Sequence, residues 1–311
     1  MGCGSSSSTA VVNLDRPNPF FYSGETITGN VVFDVHEETV NVDELVLKFF
    51  GQVAYTTQQT VVMNGQPTTQ TIPHEIPIVS SNIVLARPEN GQEELTFGKG
   101  QHTFPFQIQL PVNIPPSLNS PGSQPHVCYF VQMYVDRAWY KANTRENKYV
   151  TVFPRVNLSQ ISNTSNPVPF GTQNQANLNL NGSINKLGYI AGETIQGILN
   201  IENPRQIMIK QIMVSLIRSF VMGSASGEHV ITSKPIPELM RRQDARLSQA
   251  FTITIPAAPF PPSYQFDGGV SQKTSTRTNY LLKFQIQFEG VSGNDFEILV
   301  PIIIGTDPKP S

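Results

Sequence analysis

The strongest constraint on the fold of this chain is a motif that occurs twice. Tyr22 to Phe33 reads Y-S-G-E-T-I-T-G-N-V-V-F, and Gly188 to Ile201 reads G-Y-I-A-G-E-T-I-Q-G-I-L-N-I. In each copy a Gly-Glu-Thr-Ile-x-Gly core leads from a glycine turn into β-branched and large apolar residues, the pattern of a turn entering a strand. Two further echoes follow in the same order. Phe104-Pro-Phe-Gln-Ile-Gln-Leu-Pro111, with Ile114-Pro-Pro-Ser117 after it, answers Phe251-Thr-Ile-Thr-Ile-Pro256, with Phe260-Pro-Pro-Ser263 after it. Tyr129-Phe-Val-Gln-Met-Tyr-Val135 answers Tyr280-Leu-Leu-Lys-Phe-Gln-Ile-Gln-Phe288. Three shared motifs in one order describe a chain built twice, with the copies differing in their loops. A length of 311 residues agrees, since each half is long enough to bury its own core.

Composition selects the class. Charged residues make up only 14%, there are 25 prolines and 22 glycines, and Val, Ile, Thr, Phe and Tyr carry the apolar runs, which favours an all-β chain rich in turns. A net charge of −2 with no long basic run leaves no electrostatic footprint for nucleic acid. Cys3 and Cys128 are no disulfide framework, because one lies in a Gly/Ser tail and the other in an apolar strand. No basic leader precedes an apolar core and no run approaches the roughly 18 apolar residues of a membrane span, so the expectation is a soluble, cytosolic chain.

The order of elements follows from turn chemistry and period-two runs. Residues 1–9 are a polar tail in which Gly2 and Ser6 match the N-myristoylation pattern and Cys3 stands where palmitoylation would add a second acyl group. One myristoyl chain binds membranes only marginally, and two bind stably. Strands are predicted at Val11–Leu14, Thr26–Val35 and Val42–Tyr55, then as a long hairpin around Asn64-Gly65, and at residues 103–110, 127–136 and 147–153. Leu95-Thr-Phe-Gly-Lys-Gly100 reads as a turn. Arg155 to Gln175, rich in Asn and Ser with Pro167 and Pro169, breaks the periodicity, dividing the chain into 10–156, a connection at 157–175, a second domain at 176–306 and a tail at 307–311. Pro237 to Ala250 lacks β-branched residues and opens on proline, which predicts a short helix or helical loop.

No catalytic, cofactor or metal site is expected. His126 and Cys128 share one face of a strand, but the spacing of about 7 Å is too long for a nucleophile and its base. No Cys or His pair has zinc-site spacing, and no glycine-rich phosphate loop joins a strand to a helix. Trp139, in Arg137-Ala-Trp-Tyr-Lys141, suits either core anchoring or an exposed contact.

The combination of Tyr22-Ser-Gly-Glu-Thr-Ile-x-Gly, Lys48-Phe-Phe-Gly-Gln-Val-Ala-Tyr55, Gly100-Gln-His-Thr-Phe-Pro-Phe106 with Leu110-Pro111, Asn147-Lys-Tyr-Val-Thr-Val152, Ala191-Gly-Glu-Thr-Ile195 and Pro301-Ile-Ile-Ile-Gly-Thr306 resembles the α-arrestins, the arrestin domain-containing proteins. The resemblance covers about residues 10 to 306. It implies two tandem immunoglobulin-like β-sandwiches of the arrestin N and C types. It also implies a cytoplasmic adaptor at the plasma membrane or endosomes, which binds membrane proteins or receptors and couples them to endocytic adaptors or ubiquitin ligases. Members usually continue into a tail with P-P-x-Y motifs, whereas this sequence stops at Pro308-Lys-Pro-Ser311. Pro261-Pro262-Ser263-Tyr264 spells such a motif, but it aligns with Pro115-Pro116-Ser117 and so reads as a strand-exit turn. Arrestin-like cargo is acidic or phosphorylated, which directs attention to clustered cations: Arg137, Lys141, Arg145 and Lys148 in one stretch, and Arg241, Arg242 and Arg246 in another. The alternative is a subunit resembling retromer's arrestin-like member; a β-sandwich enzyme is a third reading.

Overall fold

The computed structural model describes residues 8–63, 66–89, 92–136, 144–173, 178–289 and 296–307. The chain divides into two compact units, one built on residues up to Pro154 and the other from Arg155 onward, with Met222–Ala225 and Phe266–Ser275 grouped with the first. The first contains β1 (Ser8–Leu14), β2 (Phe20–Tyr22), β3 (Thr26–Val42), β4 (Glu44–Met63), β5 (Gln66–Ala86), β6 (Leu95–Gln109), β7 (His126–Asp136) and β8 (Thr144–Phe153). These form two sheets, in the orders β1-β3-β6 and β2-β8-β7-β4-β5. Alternate residues bury one face of each, including Ile27, Val31 and Phe33 of β3 and Tyr129, Val131 and Met133 of β7.

The second unit repeats the plan. Its strands are β9 (Val168–Gln173), β10 (Asn179–Ile184), β11 (Gly188–Tyr189), β12 (Thr194–Glu202), β13 (Ile209–Met222), β14 (Ala225–Pro235), β15 (Arg246–Thr254), β16 (Tyr264–Gly268), β17 (Thr274–Phe288) and β18 (Phe296–Ile304). The sheets run β15-β12-β10-β9 and β11-β18-β17-β13-β14, with β16 beside β17. Leu199, Ile201, Val214, Leu216, Leu282 and Phe284 lie in its buried core. Strand for strand, the order β2-β8-β7-β4-β5 maps onto β11-β18-β17-β13-β14, and both orders open on a parallel pair, β2 with β8 and β11 with β18.

The repeated motif builds the corner where the chain leaves one sheet for the other. Gly24 and Gly192 take φ of 81° and 87°, a region glycine enters at little cost. The next residue closes the corner: Glu25 Oε2 accepts the Tyr22 N–H at 3.2 Å and pairs with Arg16 at 3.1 Å. In the second copy Glu193 Oε2 accepts the Ile190 N–H at 2.9 Å and Oε1 pairs with Lys186 at 2.7 Å. The carbonyls of Glu25 and Glu193 accept from Leu110 and Ile255, both at 2.9 Å, tying the corner to the exit of β6 or β15. Each cation also covers the aromatic ring of its corner, Arg16 over Phe21 and Lys186 over Tyr189.

The second glycine of the motif is a packing requirement. Gly29 lies opposite Phe106 and Gly197 opposite Phe251. A Cβ on Gly197 would meet Ser183 O at 2.5 Å and the Phe251 ring at 2.6 Å; on Gly29 it would meet Asn13 O at 2.1 Å. The Pro-Pro-Ser turns are equally matched. Ser117 donates its N–H to Val152 O at 2.8 Å and accepts the Val152 N–H on Oγ at 2.9 Å. Ser263 makes the same two bonds with Ile304, at 2.8 and 2.9 Å. Tyr129 Oη donates to Pro115 O and Tyr280 Oη to Pro261 O.

Three segments differ from the sequence expectation. Residues 95–100 are the start of β6, not a turn: Leu95 to Gly98 pair with Val42 to Thr39, and the strand crosses a bulge between Val35 and Thr39 where Gly98 and Gly100 stand opposite. Glycine marks a bulge as readily as a turn, and here it marks a bulge. Pro237 to Ala250 is no helix beyond one 3₁₀ turn at Pro237–Leu239; from Arg246 the chain is β15, because pairing with β12 buries Phe251 and Ile253 at period two. The segment 157–175 carries a 3₁₀ turn at Leu158–Gln160, capped by Asn157, and then β9, which pairs with β10 and so belongs to the second unit's sheet. Replacing Gly197 with Ala should lower the stability of the second unit by roughly 1–3 kcal/mol, the usual cost of overpacking. Urea melts followed by intrinsic fluorescence test this, and an unchanged midpoint would show that the Phe251 ring can yield.

Candidate partner-binding surfaces

The two halves differ at one sheet edge. In the second unit β9 lies beside β10, with Leu180, Gly182 and Ile184 opposite Thr172, Phe170 and Val168. In the first unit β1 holds the place of β10, and among the described residues no strand pairs with its other side. The register shows which groups face that side. Asp15 donates to Thr28 O directly opposite it, so alternate residues of β1 bond to β3 and the others, Ala10, Val12 and Leu14, turn their backbone groups outward. The same test, Asn185 N–H to Gln196 O, puts Leu180, Gly182 and Ile184 in the corresponding positions, where β9 meets them. Ala10, Val12 and Leu14 thus match the residues that β9 covers in the other half. Pro169 alternates to the outer side of β9, where its missing N–H blunts that edge; β1 contains no proline.

The cations read from sequence fall in two places. Arg137 and Lys141 lie outside the described residues, as does Trp139. Arg145 and Lys148 are in β8 itself, opposite Tyr134 and Val131, and Lys148 is exposed. Arg241, Arg242 and Arg246 come together at one end of the second unit, where Ile209 and Arg242 form a β-bridge and Arg241 donates its N–H to Lys210 O. Acids accompany them: Arg242 pairs with Asp244 at 2.8 Å, and Arg246 stands opposite Glu202. A surface pair of this kind is worth only about 0–1 kcal/mol. Gly2 and Cys3 also lie outside the described residues.

Among the described residues, Cys128 and His126 are committed to the core. Burial pushes the Cys128 thiol up to about 11, with the Glu75 carboxylate adding to the effect, so it stays protonated at neutral pH. His126 is buried, with Nδ1 at 2.6 Å from Ser123 O, which fixes that nitrogen as the donor. Among the described residues no group of three His, Cys, Asp or Glu side chains is placed to hold a metal, and no helix is long and apolar enough to cross a membrane.

Pro261-Pro262-Ser263-Tyr264 is built into the second sandwich. Both prolines are buried, Pro261 O accepts from Tyr280, Ser263 is bonded twice to Ile304, and Tyr264 starts β16, where burial raises its phenol pKa. A WW groove needs both prolines and the tyrosine exposed on a polyproline II strand, which the folded chain withholds. Tyr264→Ala is therefore expected to leave WW-domain capture of the folded protein at its background level. Ser263→Ala should cost about 1 kcal/mol of stability by leaving the Ile304 N–H without its acceptor. A loss of WW capture by folded Tyr264→Ala in a pull-down would reverse this assignment.

The fold, the corner motif and the matched turns can be set beside known proteins. The model of the arrestin (or S-antigen) N-terminal domain matches residues 10–159, and that of the arrestin C-terminal domain matches residues 174–309. The chain is also 26% identical over 212 residues to arrestin domain-containing protein 15 of Caenorhabditis elegans, a match that takes in 59% of this chain and 53% of that one. It thus spans about half the length of that relative. With both arrestin domains present in order and a relative of the arrestin domain-containing type, the chain belongs to the α-arrestin family.

Proposed function

We propose that the chain is a trafficking adaptor, which captures cytoplasmic segments of membrane proteins and links them to endocytic or ubiquitination machinery. The observation that supports this reading is the edge of β1. Ala10, Val12 and Leu14 offer backbone donors and acceptors in the positions that β9 occupies in the other half. An extended peptide laid there adds a strand, gaining affinity from main-chain bonds that do not depend on its sequence, as an adaptor for varied cargo requires. Specificity then comes from the peptide's side chains, and acidic or phosphorylated residues suit cationic stretches such as those at Lys148 and Arg241. Acylation at Gly2 and Cys3 would hold the adaptor at the membrane where its cargo resides.

Two measurements test the reading. Ala10→Pro removes an outward N–H without touching a bond to β3, and should weaken capture of membrane proteins from detergent extracts about fivefold, the value of one net hydrogen bond. Equal capture by a variant with an unchanged melting curve would move cargo away from this edge. For the anchor, alkyne-myristate should label the wild type and not Gly2→Ala, and the variant should shift to the soluble fraction. Labelling and fractionation identical to wild type would rule out the anchor and leave the cargo reading intact.

A further inference from the structure

Past Ala54, strand β4 leaves the sheet. Its pairing with β7 ends at Ala54 opposite His126, but its pairing with β5 continues from Tyr55 opposite His74 to Met63 opposite Gln66. The result is a two-stranded ribbon, with Gln58 to Thr60 and Gln66 to Thr71 exposed. Such a ribbon is only marginally stable in water by itself. It is also free of charge: from Phe49 to His74 the sequence contains no Asp, Glu, Lys or Arg. Charges are among the commonest protections of an exposed strand edge, and none is present here.

The two edges of the ribbon are unlike. Met63 and Gln66 flank a two-residue connection, so they exchange hydrogen bonds, and the register then alternates along the ribbon. Val61 with Thr68, Gln59 with Gln70 and Thr57 with Ile72 bond to each other, whereas Val62 with Pro67, Thr60 with Thr69, Gln58 with Thr71 and Thr56 with Pro73 turn their backbone groups outward. Pro67, Pro73 and, farther along, Pro77 opposite Gln52 all stand at outward positions of β5, which removes three N–H donors from that edge. On β4 the outward residues are Thr56, Gln58, Thr60 and Val62. None is proline, and no described strand lies beside them.

We propose that this edge of β4 pairs, antiparallel and about a two-fold axis, with the same edge of a second copy of the chain. An isologous contact sets each surface against itself, so a charged edge would repel its copy and an uncharged one does not. The longest register sets Thr56 of one copy against Val62 of the other and Gln58 against Thr60. It matches hydroxyl, amide and methyl groups and closes about eight main-chain bonds. A charged strand from another protein would find no counter-charge on the ribbon. The proline edge limits growth of this sheet to two copies: the joined sheet, β5-β4-β4-β5, presents a proline-bearing edge on both sides, and a third copy cannot extend it.

Sedimentation velocity of the full chain, from about 1 to 100 µM, reads the association directly. A monomer–dimer equilibrium is expected for the wild type. Thr60→Pro removes an outward donor from both copies and should weaken the dimer about tenfold or more, while Thr69→Pro, on the edge that already carries prolines, should leave it unchanged. Gln58→Lys with Thr60→Lys sets like charges across the two-fold axis and should also disrupt it; this variant decides the matter if Thr60→Pro fails to fold. A wild-type chain that remains monomeric throughout, including one whose ribbon binds only other proteins, overturns the proposal. So does a folded edge variant that dimerises as the wild type does, or a dimer sensitive to Thr69→Pro alone.

Discussion

Both sandwiches depend on one corner, in which a glutamate carboxylate takes the place of a backbone acceptor. Where the chain passes from β2 to β3, or from β11 to β12, it must turn between sheets and leave N–H groups without a ladder partner. Glu25 and Glu193 accept the N–H three residues before them, and their own carbonyls accept from the exits of β6 and β15. The ion pairs to Arg16 and Lys186 are conspicuous but secondary, since partly exposed pairs contribute about 0–1 kcal/mol. A carboxylate bonded to an otherwise unsatisfied N–H contributes roughly 1.5–3 kcal/mol. The cations come from different places in the two copies, before the corner in both but with different spacing, whereas the glycine and glutamate do not move. That is the expected outcome when the backbone bond carries most of the energy.

Much of this architecture was legible because it is written in residues with one physical use. Glycine before glutamate marked the corners, and Pro-Pro-Ser marked the exits of β6 and β15; the structure adds why serine is needed there, as donor and acceptor to Val152 and Ile304. The duplication followed from their order. What stayed hidden depended on partners far away in sequence. Arg246–Ala250 has weak strand character, and only the register with β12 shows that the strand begins there. Leu95–Gly100 carries two glycines, and only the bulge opposite shows that they serve a strand. The edge of β1 could not be read from Ala10–Leu14 at all. The usable signal lay elsewhere, in Val168–Gln173, a short stretch in the expected connection that precedes the first strand of the second half and pairs with it.

The cationic stretches illustrate the limit from the other direction. Proximity in sequence gathered Arg241, Arg242 and Arg246, and the structure does keep them at one end of the unit. It also supplies Asp244 and Glu202, which a search for positive charge overlooks. Lys148 lies in the expected strand, and Arg145, expected just before it, is in β8 as well, where the register against β7 sets their positions. A cluster on a strand is a different object from a cluster on a loop, because the pleat alternates neighbours between two faces.

Edges, more than cores, separate the two halves. The cores are interchangeable in kind, with aromatic rings laid over the backbone glycines at Gly29 and Gly197. The margins are not. Pro169 blunts β9, Pro67 and Pro73 blunt the ribbon side of β5, and Pro77 continues that line, each at a position whose N–H would point away from the sheet. Proline is costly anywhere the ladder needs a donor, so its repeated placement on outward positions separates edges that are closed from edges that are not. By that criterion, among the described residues the open margins are β1 in the first sheet and the far end of β4 in the second. They belong to different sheets, so a strand added at one competes with no backbone group of the other. Self-pairing through β4 would therefore leave the backbone groups of β1 unoccupied. Two copies joined in that way would carry two such edges, and a ligand with two suitable segments would gain from binding both at once.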